Sequence, residues 1–206
     1  LFSNGGKGAN QAVAAARMGA AVRLVACVGD DANGQSCLHA LQKDEINASH
    51  VRVIPDCATG VAGILLDDEG QNSIVLATGA NALLDLADID RADSTIAQAK
   101  LLLCQLETPL ASVLHAMASA KQAKLKVVLN PAPAQKLSDQ ILAQVDYLVV
   151  NETEAALLSG LAVCDLATAQ LAAAVLQQRG AGVVIVTLGA IGIWVAASDQ
   201  AYSLPA

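Results

Sequence analysis

The stretch Asn4-Gly5-Gly6-Lys7-Gly8-Ala9-Asn10-Gln11 constrains this chain more than any other. Glycines at 5, 6 and 8 break a helical interior and let backbone approach a ligand closely, because no Cβ intervenes. Residues 9–18 are strong helix formers in which only Val13 is β-branched. A glycine loop therefore runs straight into a predicted helix N-terminus, whose free N–H groups and positive dipole end face whatever occupies the loop. Lys7 adds a positive charge, and Asn10 and Gln11 add neutral hydrogen-bonding groups. The combination suits an anionic or polyhydroxylated small molecule; an ordinary loop with a glycine-rich helix entry is the competing reading. Two nucleotide motifs are excluded. A Walker A loop needs Ser or Thr after its lysine, where Gly8 stands, and the G-x-G-x-x-G dinucleotide fingerprint finds no third glycine at the required place.

The remaining sequence is that of a globular α/β chain. Its 206 residues are 54% hydrophobic and 15% charged, which rules against disorder and allows one good core with at most a small subdomain. A net charge of −7 disfavours non-specific nucleic-acid binding, and the few aromatics, Phe2, Tyr147, Trp194 and Tyr202, form no platform for stacking bases. The five cysteines are widely spaced and make no C-x-x-C or Cys/His cluster, so neither zinc nor a disulfide framework is indicated. Cys27 and Cys104 lie in apolar strand-like runs, and a reducing cytoplasm is the natural setting. His39, His50 and His115 are isolated from one another and read as surface or satisfied residues. The uncharged segment 180–198 is long enough to raise a membrane span, but Gly182, Gly189 and Gly192 break it into two buried strands joined by a glycine turn. The chain opens on Leu1 and ends just after a strand-like run, so a fragment lacking both ends is expected.

After the first helix, a strand over 22–28 leads into Gly29-Asp30-Asp31, and Asn33 is expected to cap a helix reaching Lys43. A short strand follows over 51–54. Residues 59–81 differ: two β-rich runs, 61–66 and 73–77, flank the turn cluster Asp67-Asp68-Glu69-Gly70. This predicts a hairpin without a helical crossover, either a lid or a plain surface hairpin. Ala62, Ile64 and Leu66 alternate on one face of it, Val75 and Ala77 can join them, and such a hairpin needs a partner. Beyond it, strands over 101–106, 126–129, 147–150 and 183–186 alternate with helices over 109–121, 138–144, 153–159 and 166–179. Near-continuous apolar strands in βα alternation indicate a parallel sheet covered on both faces.

In such sheets ligands bind beyond the carboxyl ends of the strands. Four of these ends carry polar or turn-forming residues: Glu107, Asn130-Pro131, Asn151-Glu152-Thr153-Glu154 and Thr187-Leu188-Gly189. Together with the glycine loop they suggest a lined cleft. Each also has a structural reading. Glu107 suits a cap for the helix after Pro109, Asn130-Pro131 suits a turn, Asn151 with Glu154 suits a capping box, and Thr187-Leu188-Gly189 suits a hairpin turn.

These same residues carry a resemblance. Gly5-Gly6-Lys7-Gly8-Ala9-Asn10-Gln11-Ala12 followed by Ala14-Ala15-Ala16-Arg17-Met18-Gly19-Ala20 resembles the sugar signature of the ribokinase family of carbohydrate kinases. Gly29-Asp30-Asp31, Thr59-Gly60, Gln105-Leu106-Glu107, Asn130-Pro131-Ala132-Pro133-Ala134, Asn151-Glu152-Thr153-Glu154 and Thr187-Leu188-Gly189 follow in the family's order, so the resemblance covers essentially the whole chain. It implies an α/β fold of three αβα layers, with a mainly parallel sheet and a small β lid. Residues 1–206 would be an incomplete domain of that kind, and 59–81 part of the lid.

The activity implied is ATP-dependent phosphorylation of D-ribose to ribose 5-phosphate in an intact parent enzyme. Another sugar or nucleoside kinase such as a deoxyribokinase, or a non-catalytic binding module, remain the alternatives. A nicotinamide-dependent dehydrogenase is disfavoured by the missing fingerprint. By resemblance, Gly6, Lys7, Gly8, Ala9 and Asn10 hold the sugar and Glu107 accepts from its hydroxyls. Asn151 lies near the nucleotide phosphates, Glu154 reaches Mg²⁺ through water, and Thr187, Leu188, Gly189, Ala190, Ile191 and Gly192 border the nucleotide. Ala190-Ile191 stands where polar or basic residues are common in the family. The catalytic base, and most of a monovalent site for K⁺, are expected beyond Ala206, so the segment alone is expected to be inactive. No nucleic-acid or membrane partner is implied; a homodimer through the lid is.

Overall fold

The computed structural model describes residues 3–66 and 72–206. In chain order its elements are α1 (Lys7–Arg17), β1 (Arg23–Gly29), α2 (Ala32–Lys43), β2 (Asn47–Ile54), β3 (Val61–Leu66), β4 (Asn72–Ala77), a 3-10 helix (Gly79–Leu83), α3 (Leu86–Arg91) and α4 (Asp93–Ala97). Then follow β5 (Leu101–Cys104), α5 (Leu110–Gln122), β6 (Lys126–Leu129), α6 (Asp139–Leu142), β7 (Tyr147–Asn151), α7 (Glu152–Ser159), α8 (Leu166–Gln178), β8 (Val183–Thr187), a second 3-10 helix (Gly189–Ile191), β9 (Ile193–Ala196) and β10 (Ala201–Leu204). The chain divides into two compact units, Leu1–Ala92 with Glu107–Ser112, and Asp93–Leu106 with Val113–Ala206.

In the first unit β1 and β2 pair in parallel around the crossover α2. Both faces of this pair are covered. Ala12 of α1, Leu41 of α2 and Ile46 are buried with Val13, Ala16, Val22 and Leu24 on one side. Cys27 and Ile54 are buried with Ala80 and Leu84 on the other. The second cluster is closed by an ion cluster. Asp88, its side chain 3% exposed, accepts from Nε and Nη2 of Arg52 at 2.7 Å each and also from Arg91. Asp85 and Asp88 form a capping box that starts α3. β3 and β4 pair antiparallel in a separate two-stranded sheet, the expected hairpin. Val75 and Ala77, however, do not join the face of Ala62, Ile64 and Leu66: the register sets Val75 opposite Gly63 and Ala77 opposite Val61, so they share the other face. The turn cluster Asp67-Asp68-Glu69-Gly70 lies outside the described residues.

The second unit holds a six-stranded sheet in the order β10-β9-β8-β7-β6-β5. β5 to β8 are parallel, and β9 and β10 are antiparallel. The mainly parallel α/β architecture is as expected. Because β5 to β8 are laid down side by side in chain order, right-handed crossovers bring their connecting helices to one face of the sheet. Burial follows that asymmetry. Val127, Leu129, Leu148, Val150, Val184 and Val186 are essentially inaccessible, whereas Val128, Val149 and Ile185, pointing the other way, are half-buried. The uncharged segment 180–198 is β8, the 3-10 turn and β9, and among the described residues no helix is long and apolar enough to cross a membrane.

Several boundaries differ from the sequence-based expectations. α1 starts at Lys7, so Gly8 sits in its first turn and not in the loop. The cap of α2 is Asp31 and not Asn33: Asp31 is extended and its carboxylate accepts from Gly34 N–H at 2.7 Å. β2 begins at Asn47 because it pairs with β1 from Arg23 onward. β5 stops at Cys104, since Leu106 N–H turns to Ala132 O. The short helices between 79 and 97 escape periodicity, which needs longer windows to show.

Asp146 ties three strands of the second unit at their amino ends. Its carboxylate accepts from Lys121, from Lys126 Nζ at 2.9 Å and from Val127 N–H at 2.9 Å, while its carbonyl accepts from Val183 N–H at 2.8 Å. Burial alone would raise this carboxyl, but the Lys121, Val127 and Lys126 hydrogen bonds outweigh it and hold it at about 2. A carboxylate held below its unfolded-chain value of about 3.9 stabilises fully above that value, and the contribution is lost as pH falls through the folded one. Asp146→Asn should therefore cost roughly 2 kcal/mol at pH 6 and flatten the loss of stability between about pH 4 and pH 2. Urea unfolding midpoints across this range check it; identical acid slopes for both proteins would contradict it.

Candidate active site

The glycine loop and Glu107 meet in the first unit. Gly6 caps α1 with φ 93°, a left-handed conformation that costs other residues strain. No side chain near in sequence caps this helix, and its first turn carries no acidic residue. The N–H of Lys7 instead donates to Glu107 Oε2 at 2.7 Å, a bond between residues 100 positions apart. Glu107 is half-buried, and no donor among the described residues bonds its Oε1. An ionised acceptor thus stands beside amide donors at a helix N-terminus, the mixed set that a polyol needs. Gly8 and Ala9 lie in the first turn of α1, half-buried, and Asn10 follows them exposed, its N–H spent on Gly6 O. The Lys7 side chain is exposed, and its backbone is what reaches Glu107.

The second group of expected residues gathers in the second unit. β7 runs directly into α7 at Asn151, as a capping box requires. Asn151 Oδ1 accepts from Glu154 N–H at 2.8 Å, and Glu154 Oε2 accepts from Asn151 N–H at 3.0 Å. Glu154 is 6% exposed, an unusual position for a carboxylate. Asn130, at the end of β6, bridges to it: Nδ2 donates to Val149 O at 2.9 Å and approaches Glu154 Oε2 at 3.3 Å. Among the described residues the hydrogen bonds to the Glu154 carboxylate fall on Oε2, which leaves Oε1 for a further donor or a hydrated cation. Sequence reasoning placed Asn130 at a strand end without seeing this bridge. An amide side chain one strand away from a buried carboxylate is visible only once β6 and β7 are paired.

Thr187 ends β8 beside Asn151, its registered partner on β7, and its hydroxyl lies 3.4 Å from Val150 O. Leu188 to Gly192 form the β8–β9 turn. Leu188 N–H donates to Gly192 O at 2.9 Å, and Gly189 and Gly192 take positive φ. Leu188 is 2% exposed, so its side chain belongs to the core and only its backbone can border a ligand. Ala190 and Ile191 are exposed at the tip. The turn expected at Thr187-Leu188-Gly189 is thus present and runs on to Gly192. No group of three or more His, Cys, Asp or Glu placed to hold a metal occurs among the described residues.

The profile of the pfkB family carbohydrate kinases matches residues 1–206. The chain is 46% identical over 191 residues to a ribokinase of Haemophilus influenzae, covering 93% of this chain and 62% of that protein. It is 38% identical over 203 residues to a deoxyribokinase of Salmonella typhi, covering 98% of this chain and 66% of that one. The chain thus spans a little under two thirds of these relatives. Among solved structures, an Arabidopsis thaliana ribokinase complexed with ribose and ATP superposes with a TM-score of 0.88 at 27% identity, covering 98% of this chain and 67% of that one. Matched over its whole length, the chain belongs to the pfkB family of carbohydrate kinases.

Proposed function

We propose that the protein carrying this chain phosphorylates D-ribose with ATP to give ribose 5-phosphate. The observation that carries the proposal is the Lys7–Glu107 contact, which sets one carboxylate and the start of α1 side by side. Glu107 Oε1 accepts a sugar hydroxyl, and the amides of Gly6, Lys7, Gly8 and Ala9, with the Asn10 side chain, contact the ring oxygens from the loop. The similarity to ribokinases supports ribose as the sugar. Deoxyribose is the second reading, supported by the similarity to a deoxyribokinase. Ribose-dependent ADP release compared with 2-deoxyribose-dependent release tests both, and turnover of neither sugar would overturn the proposal.

Phosphoryl transfer asks the protein for positioning and charge neutralisation more than for covalent chemistry. We assign Asn151 and the 187–192 turn to the nucleotide and Glu154 to its magnesium ion. The residues fit such an ion: Glu154 is 6% exposed, its Oε1 is not shut away as a buried unpaired atom, and Mg²⁺ prefers few protein ligands, keeping waters and phosphate oxygens as the rest. When bound, the ion neutralises the negative charge on the phosphates. Glu154 would hold the ion through its waters, and Asn130 and the Asn151 N–H restrain the carboxylate through Oε2. No residue of this chain is assigned as the proton acceptor or as a K⁺ ligand. The five cysteines are free thiols, in keeping with a reducing cytoplasm.

We also propose that the β3–β4 hairpin is a lid whose apolar surface is covered by a second copy of the protein. Val61 and Val75, which share one face, are 49 and 63% exposed, a high cost for a two-stranded sheet in water. Val75→Asp should convert the dimer to monomers in sedimentation analysis; an unchanged dimer would refute the assignment. Glu107→Gln removes the ionised acceptor and should raise the KM for ribose by about tenfold or more while leaving the KM for ATP near its original value. Equal changes in both would make Glu107 structural. Glu154→Gln keeps the size of the side chain, and should lower kcat and shift the magnesium requirement to higher concentration with ribose binding unchanged. An unaltered magnesium titration would leave Glu154 as a capping residue alone.

A further inference from the structure

The geometry points to Asp31 as a positioning residue for sugar binding, one that sets the orientation of the β3–β4 hairpin by gripping Thr59 at its root. This rests on the reading of that hairpin as a lid. β3 and β4 form a two-stranded sheet of their own, so the direction in which they project depends on how residues 58–60 and 78–80 are held. Those two segments are tied to each other. Ala80 N–H donates to Ala58 O at 2.9 Å, and a Cβ on Gly60 would stand 2.6 Å from Thr78 O, so the two chains run in contact.

The root is in turn held by one carboxylate. Asp31 Oδ2 accepts from Thr59 N–H at 2.8 Å, and Oδ1 accepts from the Thr59 hydroxyl at 2.6 Å and from Gly34 N–H at 2.7 Å. The Thr59 hydroxyl itself accepts from Gly29 N–H at 2.9 Å, and Thr59 is 8% exposed. A Cβ on Gly29 would lie 2.2 Å from Cys57 O, so the end of β1 and the root are pressed together. These bonds hold the Asp31 carboxyl below the ordinary carboxylate range, the Thr59 hydroxyl and N–H first among them.

Asp31 thus does more than cap α2, since a cap needs only the Gly34 bond. The helix it caps also reaches the glycine loop: one turn on, the Ser36 hydroxyl donates to Asn4 Oδ1 at 3.1 Å, just ahead of Gly5 and Gly6. Through α2, the hairpin root and the sugar-binding loop share one rigid support. A carboxylate at position 31 is what the double contact with Thr59 demands. Thr59 offers two donors, N–H and O–H, and only a group with two acceptor oxygens can take both while capping Gly34.

Asp31→Asn separates the two roles. Asparagine caps helices as well as aspartate does, so α2 and the melting temperature should be little changed. Its amide nitrogen would face Thr59 N–H, donor against donor, and the root should loosen. Hydrogen exchange of the hairpin amides in the purified protein should accelerate about tenfold or more, with exchange in α1, β1 and α2 unchanged. The KM for ribose should rise while the KM for ATP stays constant. Thr59→Ser, which keeps both donors, should retain hairpin protection. Wild-type hairpin exchange and ribose KM in Asp31→Asn would overturn the inference, and so would exchange raised equally throughout α1, β1 and α2, which would mark a purely structural role. If added ribose leaves hairpin exchange in the wild-type protein unchanged, the lid reading itself fails and the kinetic role falls with it, while exchange without ribose still decides whether Asp31 holds the root.

Discussion

The first turn of a helix presents N–H groups that the helix cannot satisfy, and this chain builds its chemistry around how those groups are met. Four of its helices, α2, α3, α7 and α8, meet the need locally through Asp31, Asp85, Asn151 and Asp165. The glycine-rich start of α1 has no such side chain and draws on Glu107, 100 positions away. A helix end left open to its neighbours, with a carboxylate brought to it by the tertiary fold, is a place where donors and an acceptor are both on offer. At α7 Asn151 meets that demand, and Glu154, 6% exposed, accepts in return from the Asn151 N–H.

Buried carboxylates play a second part as fixed points of the fold. Asp88 gathers Arg52 of β2 and Arg91 of α3 over the Cys27–Ile54 cluster, and burial, which would raise it, is outweighed by those guanidiniums and the Asp85 amide, leaving it well below the usual range. Asp146 does the same for the amino ends of β6, β7 and β8. In each case one charged atom pair is shared between elements that hydrophobic contact alone would let slide. At Asp88, whose side chain is 3% exposed, removing one partner costs more than the pair yields, which makes it an informative target for stability work.

Much of the second unit was legible in the chain. The apolar runs over 126–129 and 183–186 lie within strands that pair as expected, because a strand buried on a parallel sheet leaves near-continuous Val and Leu in sequence. The hairpin over 59–81 was legible too, from two β-rich runs without a helix between them. Less legible were the elements whose limits depend on a distant partner. β2 extends to Asn47 because β1 lies alongside it, and Asp31 displaces Asn33 as the cap because the chain leaves Gly29 in an extended conformation. Short helices such as α3 and α4 carry too few turns for a periodic signal.

By itself the sequence determined which residue types stand at each strand end and helix start, and so which chemistry was on offer: a glycine loop, carboxylates at 107 and 154, and amides at 130 and 151. Local rules suffice there, since glycine, capping residues and strand formers act through their immediate neighbours. Tertiary structure alone decided which of these groups touch. It gave Glu107 to the Lys7 amide, Asn130 to Glu154 and Thr59 to Asp31. Such pairings depend on how strands register and where crossovers return, and a hydrogen bond requires atoms within about 3 Å, a distance that no spacing along the chain can specify.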